Sequence, residues 1–261
     1  MFDIQIYSAG LATALGMAVV AWLLSIPRRD VSSADALWSL LFMAMTLVYV
    51  VQSPNVAERA HLLLFVVTVW AVRLSVFITL RQWGEPEDRH YRAIRAEHGP
   101  SFAYKSFYLV FALQAILAWI ISLPLLGAVL GAAPLGWLDA IAVALWLLGF
   151  GFEAIGDQQL ARFKTDPANR GKVLDTGLWR YTRHPNYFGE ACIWWAFYLF
   201  ALAAGAWWTI IGPILMTYLL LRVSGVALLE QDMRHRRPTY QDYIHRTNAF
   251  FPGPPKAAAN A

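Results

Sequence analysis

Apolar runs of about twenty residues recur down the chain, each long enough to cross a bilayer as a helix. Hydrocarbon offers the backbone no water to bond, so such runs must satisfy their own N–H and C=O groups, and a helix does this within one segment. The runs fall at 8–26, 34–52, 60–80, 106–131, 135–156, 186–204 and 207–229. They predict an all-α polytopic membrane protein with seven transmembrane helices. Composition agrees: 58% of the residues are hydrophobic and 15% charged, against about half and a quarter in soluble domains. The first run reads as a retained helix and not a cleaved leader, because no basic segment precedes it and Ile26-Pro27-Arg28-Arg29 follows in place of small residues.

Charge placement supports this count. When the connections are assigned alternately to the two sides, residues 27–33, 81–105, 157–185 and 230–261 share one side and carry 18 of the 21 Lys and Arg. Arg59 is the basic residue of the other side, while Arg73 and Arg222 lie within runs. The positive-inside rule then predicts an external N-terminus and a cytoplasmic C-terminus. The expected location is a bacterial inner membrane, with any active site opening to the cytoplasm. The net charge of +4 is explained by this topology and by anionic lipid, not by nucleic acid.

The single cysteine, Cys192, excludes an intramolecular disulfide and reads as a small packing residue. No internal repeat is visible and no polar stretch is long enough for a separate soluble domain, so one membrane domain is expected. Residues 83–98 and 232–243 mix charges with aromatics and predict short helices at the membrane surface. Residues 253–261 read as a disordered tail.

Ionisable groups within membrane runs are costly and mark function or pairing. Arg73, Glu153, Asp157, Glu190 and Arg222 are in or beside such runs. Residues four apart share a helix face, so Glu153 with Asp157, and Asn186 with Glu190, each present two polar groups in one direction. Buried ion pairs that fix the bundle would be the bland explanation. The acids, however, gather at the same end as the richest connection, which packing alone does not require.

That connection holds Asp157, Arg162 and Lys164, then Asn169-Arg170-Gly171-Lys172, then Gly177-Leu178-Trp179-Arg180-Tyr181-Thr182-Arg183-His184-Pro185-Asn186-Tyr187-Phe188-Gly189-Glu190. A loop that only sets topology needs Lys and Arg, not His, Asn, Tyr and Glu within seven positions. Cations neutralise phosphates, aromatics stack on planar rings and Asn both donates to and accepts from a carboxamide, so the set suits a dinucleotide. Pro185 fits the first turn of a helix. No soluble glycine-rich dinucleotide fingerprint appears. Metal chemistry is not expected, since His184 and His235 lack ligand-spaced companions.

The string Arg183-His184-Pro185-Asn186-Tyr187-Phe188-Gly189-Glu190, with Gly177-Leu178-Trp179-Arg180-Tyr181 before it, resembles the hallmark of the steroid 5α-reductase superfamily in its bacterial branch. The tail from Glu230 through Tyr240-Gln-Asp-Tyr243-Ile-His-Arg246-Thr-Asn-Ala-Phe-Phe-Pro is similar to that family's closing motif, and Gly84-Glu-Pro-Glu-Asp88-Arg-His-Tyr91 to its loop after the third span. The likeness covers roughly residues 70–252. It implies seven helices, NADPH among the last helices and loops (135–252), a substrate side formed by 1–131, and reduction of the Δ4 double bond of a 3-oxo steroid or a similar lipophilic enone by a monomer. Carried over by position, Asn186 and Glu190 would hold the nicotinamide end, and Tyr181, Arg183, His184 and Tyr187 the ribose and pyrophosphate. Asp157, Arg162, Lys164 and Lys172 would serve the adenosine and 2′-phosphate, Arg246 and Asn248 would close the site, and Glu153, Leu178, Trp179, Glu230 and Tyr243 would complete the cofactor-binding set. The animal enzymes carry a Gln-Glu pair late in the second span and a Tyr in the third. Here Gln52 stands without the Glu and Trp70 at the Tyr position, with Tyr49 one turn before Gln52, so Tyr49, Gln52 and Trp70 are the catalytic candidates for polarising the substrate carbonyl.

The Arg-His-Pro-x-Tyr-x-Gly core is shared with sterol reductases and with membrane methyltransferases that act on isoprenylated cysteine and use S-adenosylmethionine. A methyltransferase has no 2′-phosphate to bind, whereas Arg162, Lys164, Arg170 and Lys172 supply more cation than it needs. A non-enzymatic lipid- or steroid-binding protein or a transporter is the third class. No repeat symmetry or broken-helix pair favours transport.

Overall fold

A computed structural model describes residues 2–223, 226, 230 and 240–256. The described residues are helical and connecting segments, and the chain divides into two compact units: Met1–Asp139 with Phe200–Gly212, and Ala140–Leu199 with Pro213–Ala261.

The first unit begins with α1 (Ile4–Arg28), α2 (Ser33–Gln52) and α3 (Glu58–Gln82). Asp3 starts α1 by accepting from the amides of Gln5 and Ile6 at 2.9 and 3.1 Å, satisfying donors that have no partner within the helix. Fully buried alanines, among them Ala14, Ala18, Ala34, Ala60 and Ala71, bring the backbones close, as small residues do where lipid supplies no hydrophobic drive for association. Next come α4 (Arg89–His98), the short α5 (Phe102–Ser106), a π-helical stretch at Phe107–Phe111, α6 (Ala112–Ile121) and α7 (Leu123–Val129).

Two polar fixtures order this unit. At one end Arg59, 1% exposed, donates to both carboxylate oxygens of Asp139 at 2.7 and 2.9 Å and to the carbonyls of Ala133 and Pro134 at 2.9 Å. The basic residue that breaks the charge pattern is thus neutralised on the spot. At the other end the 84–91 segment is sewn to the turn after α1 and the first turn of α2: Glu87 accepts from the Val31 amide, Asp88 N–H donates to Ser32 Oγ, and Tyr91 donates to Asp35 at 2.6 Å.

In the second unit α8 (Trp137–Thr165, here from Ala140) pairs with α9 (Pro185–Ala203, here to Leu199). They are followed by α10 (Ile211–Tyr218), a π-helical turn at Leu219–Val223 and, near the C-terminus, α11 (Tyr240–Arg246). Phe152, Phe188, Phe250 and Phe251 form edge-on ring contacts that join α8, α9 and the C-terminal segment.

Five helices are long and apolar enough to cross a membrane: Ile4–Arg28, Ser33–Gln52, Glu58–Gln82, Arg89–Ile121 and Trp137–Thr165. A shorter apolar helix covers Trp207–Val223. The protein is therefore of the integral multi-pass kind. Several expectations need correction. The run at 106–131 is not one helix: it breaks at Ser122, and α7 beyond the break is buried from Pro124 to Val129. The fifth helix continues to Thr165, so Asp157, Arg162 and Lys164 ride on a helix and not on a loop. Gln158, Gln159 and Arg162 favour that continuation. Residues 253–256 are held, not loose, with the Gly253 and Lys256 amides bonded to the Tyr181 and Arg246 carbonyls at 3.0 and 2.9 Å. The surface helix expected at 83–98 occupies Arg89–His98, capped by Asp88. Of that expected at 232–243, residues 232–239 lie outside the described residues, as do 257–261, and α11 begins at Tyr240.

Candidate functional site

The conspicuous polar string starts α9. His184 offers its carbonyl to the Phe188 amide at 3.0 Å, and Pro185 follows in the first turn, where its missing N–H costs nothing. Gly189 then lets α9 touch α8: a methyl group there would lie 2.5 Å from both the Glu153 amide nitrogen and the Gly149 carbonyl oxygen. Gly149 answers with the same intimacy, its added carbon falling 2.6 Å from the Gly189 carbonyl. This crossing brings several of the candidate residues together. Glu153 and Asp157, one turn apart on α8, are 2% and 5% exposed, and Asn186 Nδ2 donates to Asp157 Oδ1 at 3.2 Å. Glu190 follows one turn after Asn186 on α9. The His184 and Tyr187 rings stack nearly parallel, with centroids 5.6 Å apart.

Arg183 and His184 belong to a second arrangement, which locks the C-terminal segment. Arg183, 7% exposed, reaches Glu230 Oε1 at 2.7 Å, donates to the carbonyls of Ile244 and Thr247, and gives its amide to the Asn248 carbonyl. His184 Nε2 lies 3.3 Å from the same Glu230 oxygen, and Thr182 donates to the Phe250 carbonyl at 2.8 Å. Burial by itself would raise the Glu230 carboxyl. The hydrogen bonds from His184 and Arg183, with the Arg183 charge, outweigh it and hold the group below the usual carboxylate range. The Tyr243 hydroxyl donates to the Trp179 carbonyl at 2.5 Å, and burial pushes that phenol well up. Arg183 and His184, expected to face ribose and pyrophosphate, thus act in this structure on Glu230 and the tail backbone.

The 166–184 connection is pinned onto α8. Leu178 N–H donates to Gln159 Oε1 at 3.0 Å, and Trp179 Nε1 donates to the Gly156 carbonyl at 3.0 Å. Arg162, Lys164, Arg170 and Lys172 remain exposed, as does Tyr181, 45% exposed. Arg246 meets Asp175 at 3.3 Å with both side chains nearly half exposed, so it stands at a rim. Asn248 is half-buried and takes part through its backbone.

The carbonyl-polarising candidates lie in the first unit. Tyr49 is fully buried with its hydroxyl 2.8 Å from Ser122 Oγ, at the break between α6 and α7, and its ring closes on Gly10. Trp70 is fully buried against Phe42, with ring centroids 6.1 Å apart. Gln52, at the end of α2, is exposed.

Residues 21–247 match the family described as a protein of unknown function, DUF1295. The chain belongs to that family. DUF1295 proteins are distantly related to steroid 5α-reductase-like membrane proteins. The chain is also similar to an uncharacterized protein of Schizosaccharomyces pombe, 26% identical over 281 residues, an alignment covering 94% of this chain and 79% of the relative. No solved structure matches it.

In this DUF1295 protein several site-forming residues escaped the sequence reading. Gln159, Thr182 and Asp175 were passed over, although each fixes a segment that carries candidate residues. Gln159 had one legible signal, its place on the helical continuation beyond Asp157. Thr182 and Asp175 had none, because their partners lie more than sixty residues away in sequence.

Proposed function

We propose that this protein is a membrane-embedded, NADPH-dependent reductase of the C=C bond of a lipophilic enone, in the first instance the Δ4 bond of a 3-oxo steroid. In this reading α9 and Trp207–Val223 complete seven crossings, and the basic connections face the cytoplasm. The observation that carries it is the Asp157–Asn186 contact at the glycine-packed crossing of α8 and α9, with exposed Arg162 and Lys164 on the end of α8 and exposed Arg170, Lys172 and Arg180 on the connection that follows. The donor set fits the cofactor. Arg162, Lys164, Arg170 and Lys172 match the charge of a pyrophosphate and a 2′-phosphate. Asn186, its amide held by Asp157, is placed to read a carboxamide, with Glu190 one turn on and Tyr187 offering a ring face.

NADPH, when bound, would supply the hydride for the β-carbon of the enone, and the α-carbon would take its proton from water. The chain's own part is to orient, exclude water and polarise. Asp157 fixes the rotamer of Asn186; Glu153 and Glu190 bracket it along the two helices; the Arg183–Glu230 lock holds the tail against the motif. For the substrate carbonyl, Tyr49, Gln52 and Trp70 are the candidates, Tyr49 being the one with a hydroxyl to donate. In such a dry setting one donor is worth several kcal/mol, of order 2.7–4.

The test is binding of NADPH, NADH and S-adenosylmethionine to the detergent-purified protein, with Asn186→Ala and Lys164→Ala beside it. NADPH binding well above NADH, weakened by both substitutions, is expected, followed by enone-dependent NADPH oxidation. Binding of S-adenosylmethionine in place of NADPH would replace this reading with a methyltransferase, and binding of neither would point to a lipid-binding or transport role.

A further inference from the structure

Trp146 lies within the apolar part of α8, 5% exposed, and its indole nitrogen has neither a hydrogen-bond partner among the described residues nor contact with solvent. Other indoles of the chain find acceptors. Trp22, Trp119 and Trp179 donate to the Ala103, Tyr7 and Gly156 carbonyls at 2.9, 2.9 and 3.0 Å, and Trp195 donates to Thr217 Oγ1 at 3.2 Å. An N–H left unpaired in a dry interior carries its full desolvation penalty, which a phenylalanine in much the same space would avoid. An unsatisfied group of this kind calls for a reason.

Its position supplies one. Ala142, Trp146, Gly149, Glu153 and Asp157 are buried at helical spacing, while Leu147, Leu148 and Ile155 are exposed. Trp146 stands two turns before Glu153 and three before Asp157, so all three side chains leave α8 on the face that meets α9 at Gly189. Between Asp139 and Glu153 no other side chain of α8 can form a hydrogen bond. The indole stacks on Phe150 with centroids 4.9 Å apart, which fixes the plane in which the N–H donates. Because the nitrogen is closed to water, the acceptor that pairs with it must arrive with a bound molecule, and apolar surroundings suit a molecule that is otherwise apolar.

We infer that Trp146 is a carbonyl-binding residue, its N–H donating to the ketone oxygen of a lipophilic substrate on the membrane side of Asn186 and Asp157. Its catalytic consequence rests on the reductase reading. As the β-carbon gains hydride, the C=C electron pair moves toward the carbonyl and leaves the enolate charge on that oxygen. The indole keeps its proton and stabilises the charge, and the α-carbon takes a proton from water as the carbonyl reforms. Tyr49, Gln52 and Trp70 lie in the first unit, whereas Trp146 shares its unit with Asn186 and Asp157.

The test uses the detergent-purified full chain carrying isotope-labelled tryptophan, in which each of the twelve tryptophans gives an indole N–H NMR signal and Trp146→Phe identifies one by its loss. That signal is expected to move on addition of cholest-4-en-3-one and to stay in place with cholest-4-ene, which has no oxygen. Should Trp146→Phe fail to fold, the parent still answers: the inference is overturned when no indole signal separates the two probes. In turnover, Trp146→Phe is expected to slow enone-dependent NADPH oxidation about a hundredfold, with NADPH affinity unchanged. Unchanged turnover would overturn the inference and leave the reductase reading standing. A ketone-specific shift of the Trp146 signal in a protein that does not bind NADPH would do the reverse, keeping the ketone site and ending the reductase reading.

Discussion

Arg183 and Glu230 lie 2.7 Å apart, 47 residues apart in sequence, and through this pair the motif that starts α9 grips the C-terminal segment. The other guanidinium donors end on the carbonyls of Ile244 and Thr247, so the arginine is a planar fork with several fixed acceptors.

Arg183→Lys keeps the charge but loses that geometry. Removing one partner of a buried pair costs about 3–5 kcal/mol, and a lysine that retains part of the pairing should lose about half of it. Limited proteolysis should then cut between 240 and 256 at temperatures where the parent resists, and Glu230→Gln should give a milder form of the same result.

The same pair sets an acid limit. The folded-state Glu230 carboxyl titrates below its unfolded value, so its contribution is fully present above the ordinary Glu range near ~4.3 and is lost as pH falls through the lower folded value. Tm measured from pH 7 downward should fall in that acid window, and Glu230→Gln, already less stable at pH 7, should show a smaller acid-dependent loss. An unchanged acid profile in the variant would assign the loss to other carboxylates.

Gly189 is the point at which α9 touches α8. Gly189→Ala places a carbon 2.5 Å from backbone atoms that have no rotamer to yield, so the helices must separate. Overpacking of this kind costs about 1–3 kcal/mol. The expected result is a lower Tm together with weaker NADPH binding, since separation also stretches the Asp157–Asn186 contact.

Arg59 and Asp139 anchor the opposite kind of site, one with no proposed chemistry. Asp139→Ala leaves a buried guanidinium with only two carbonyl partners and should cost about 3–5 kcal/mol, whereas Arg59→Met with Asp139→Leu should restore most of it, because a well-packed apolar pair replaces a buried ion pair at little cost. Thermal unfolding of both single variants and the double variant measures the coupling.

The sequence by itself determined what local chemistry can determine. Runs of apolar residues dictated helices, because each helix satisfies its own backbone; Pro185 dictated where α9 begins; and the spacing of Asn186 with Glu190, and of Glu153 with Asp157, told which polar groups share a helix face. Tertiary structure decided the rest. The break at Ser122 had a legible mark in Pro124, which a helix interior disfavours and a first turn accepts, but that α7 would lie in buried surroundings was decided only by the fold. The extension of α8 to Thr165 turned expected loop residues into helix-borne ones. Arg183 was expected at the ribose and pyrophosphate by the resemblance, and only the fold could show that Glu230, Ile244 and Thr247 come to it; a side chain's partner is set by three-dimensional proximity, which residue spacing along the chain does not encode.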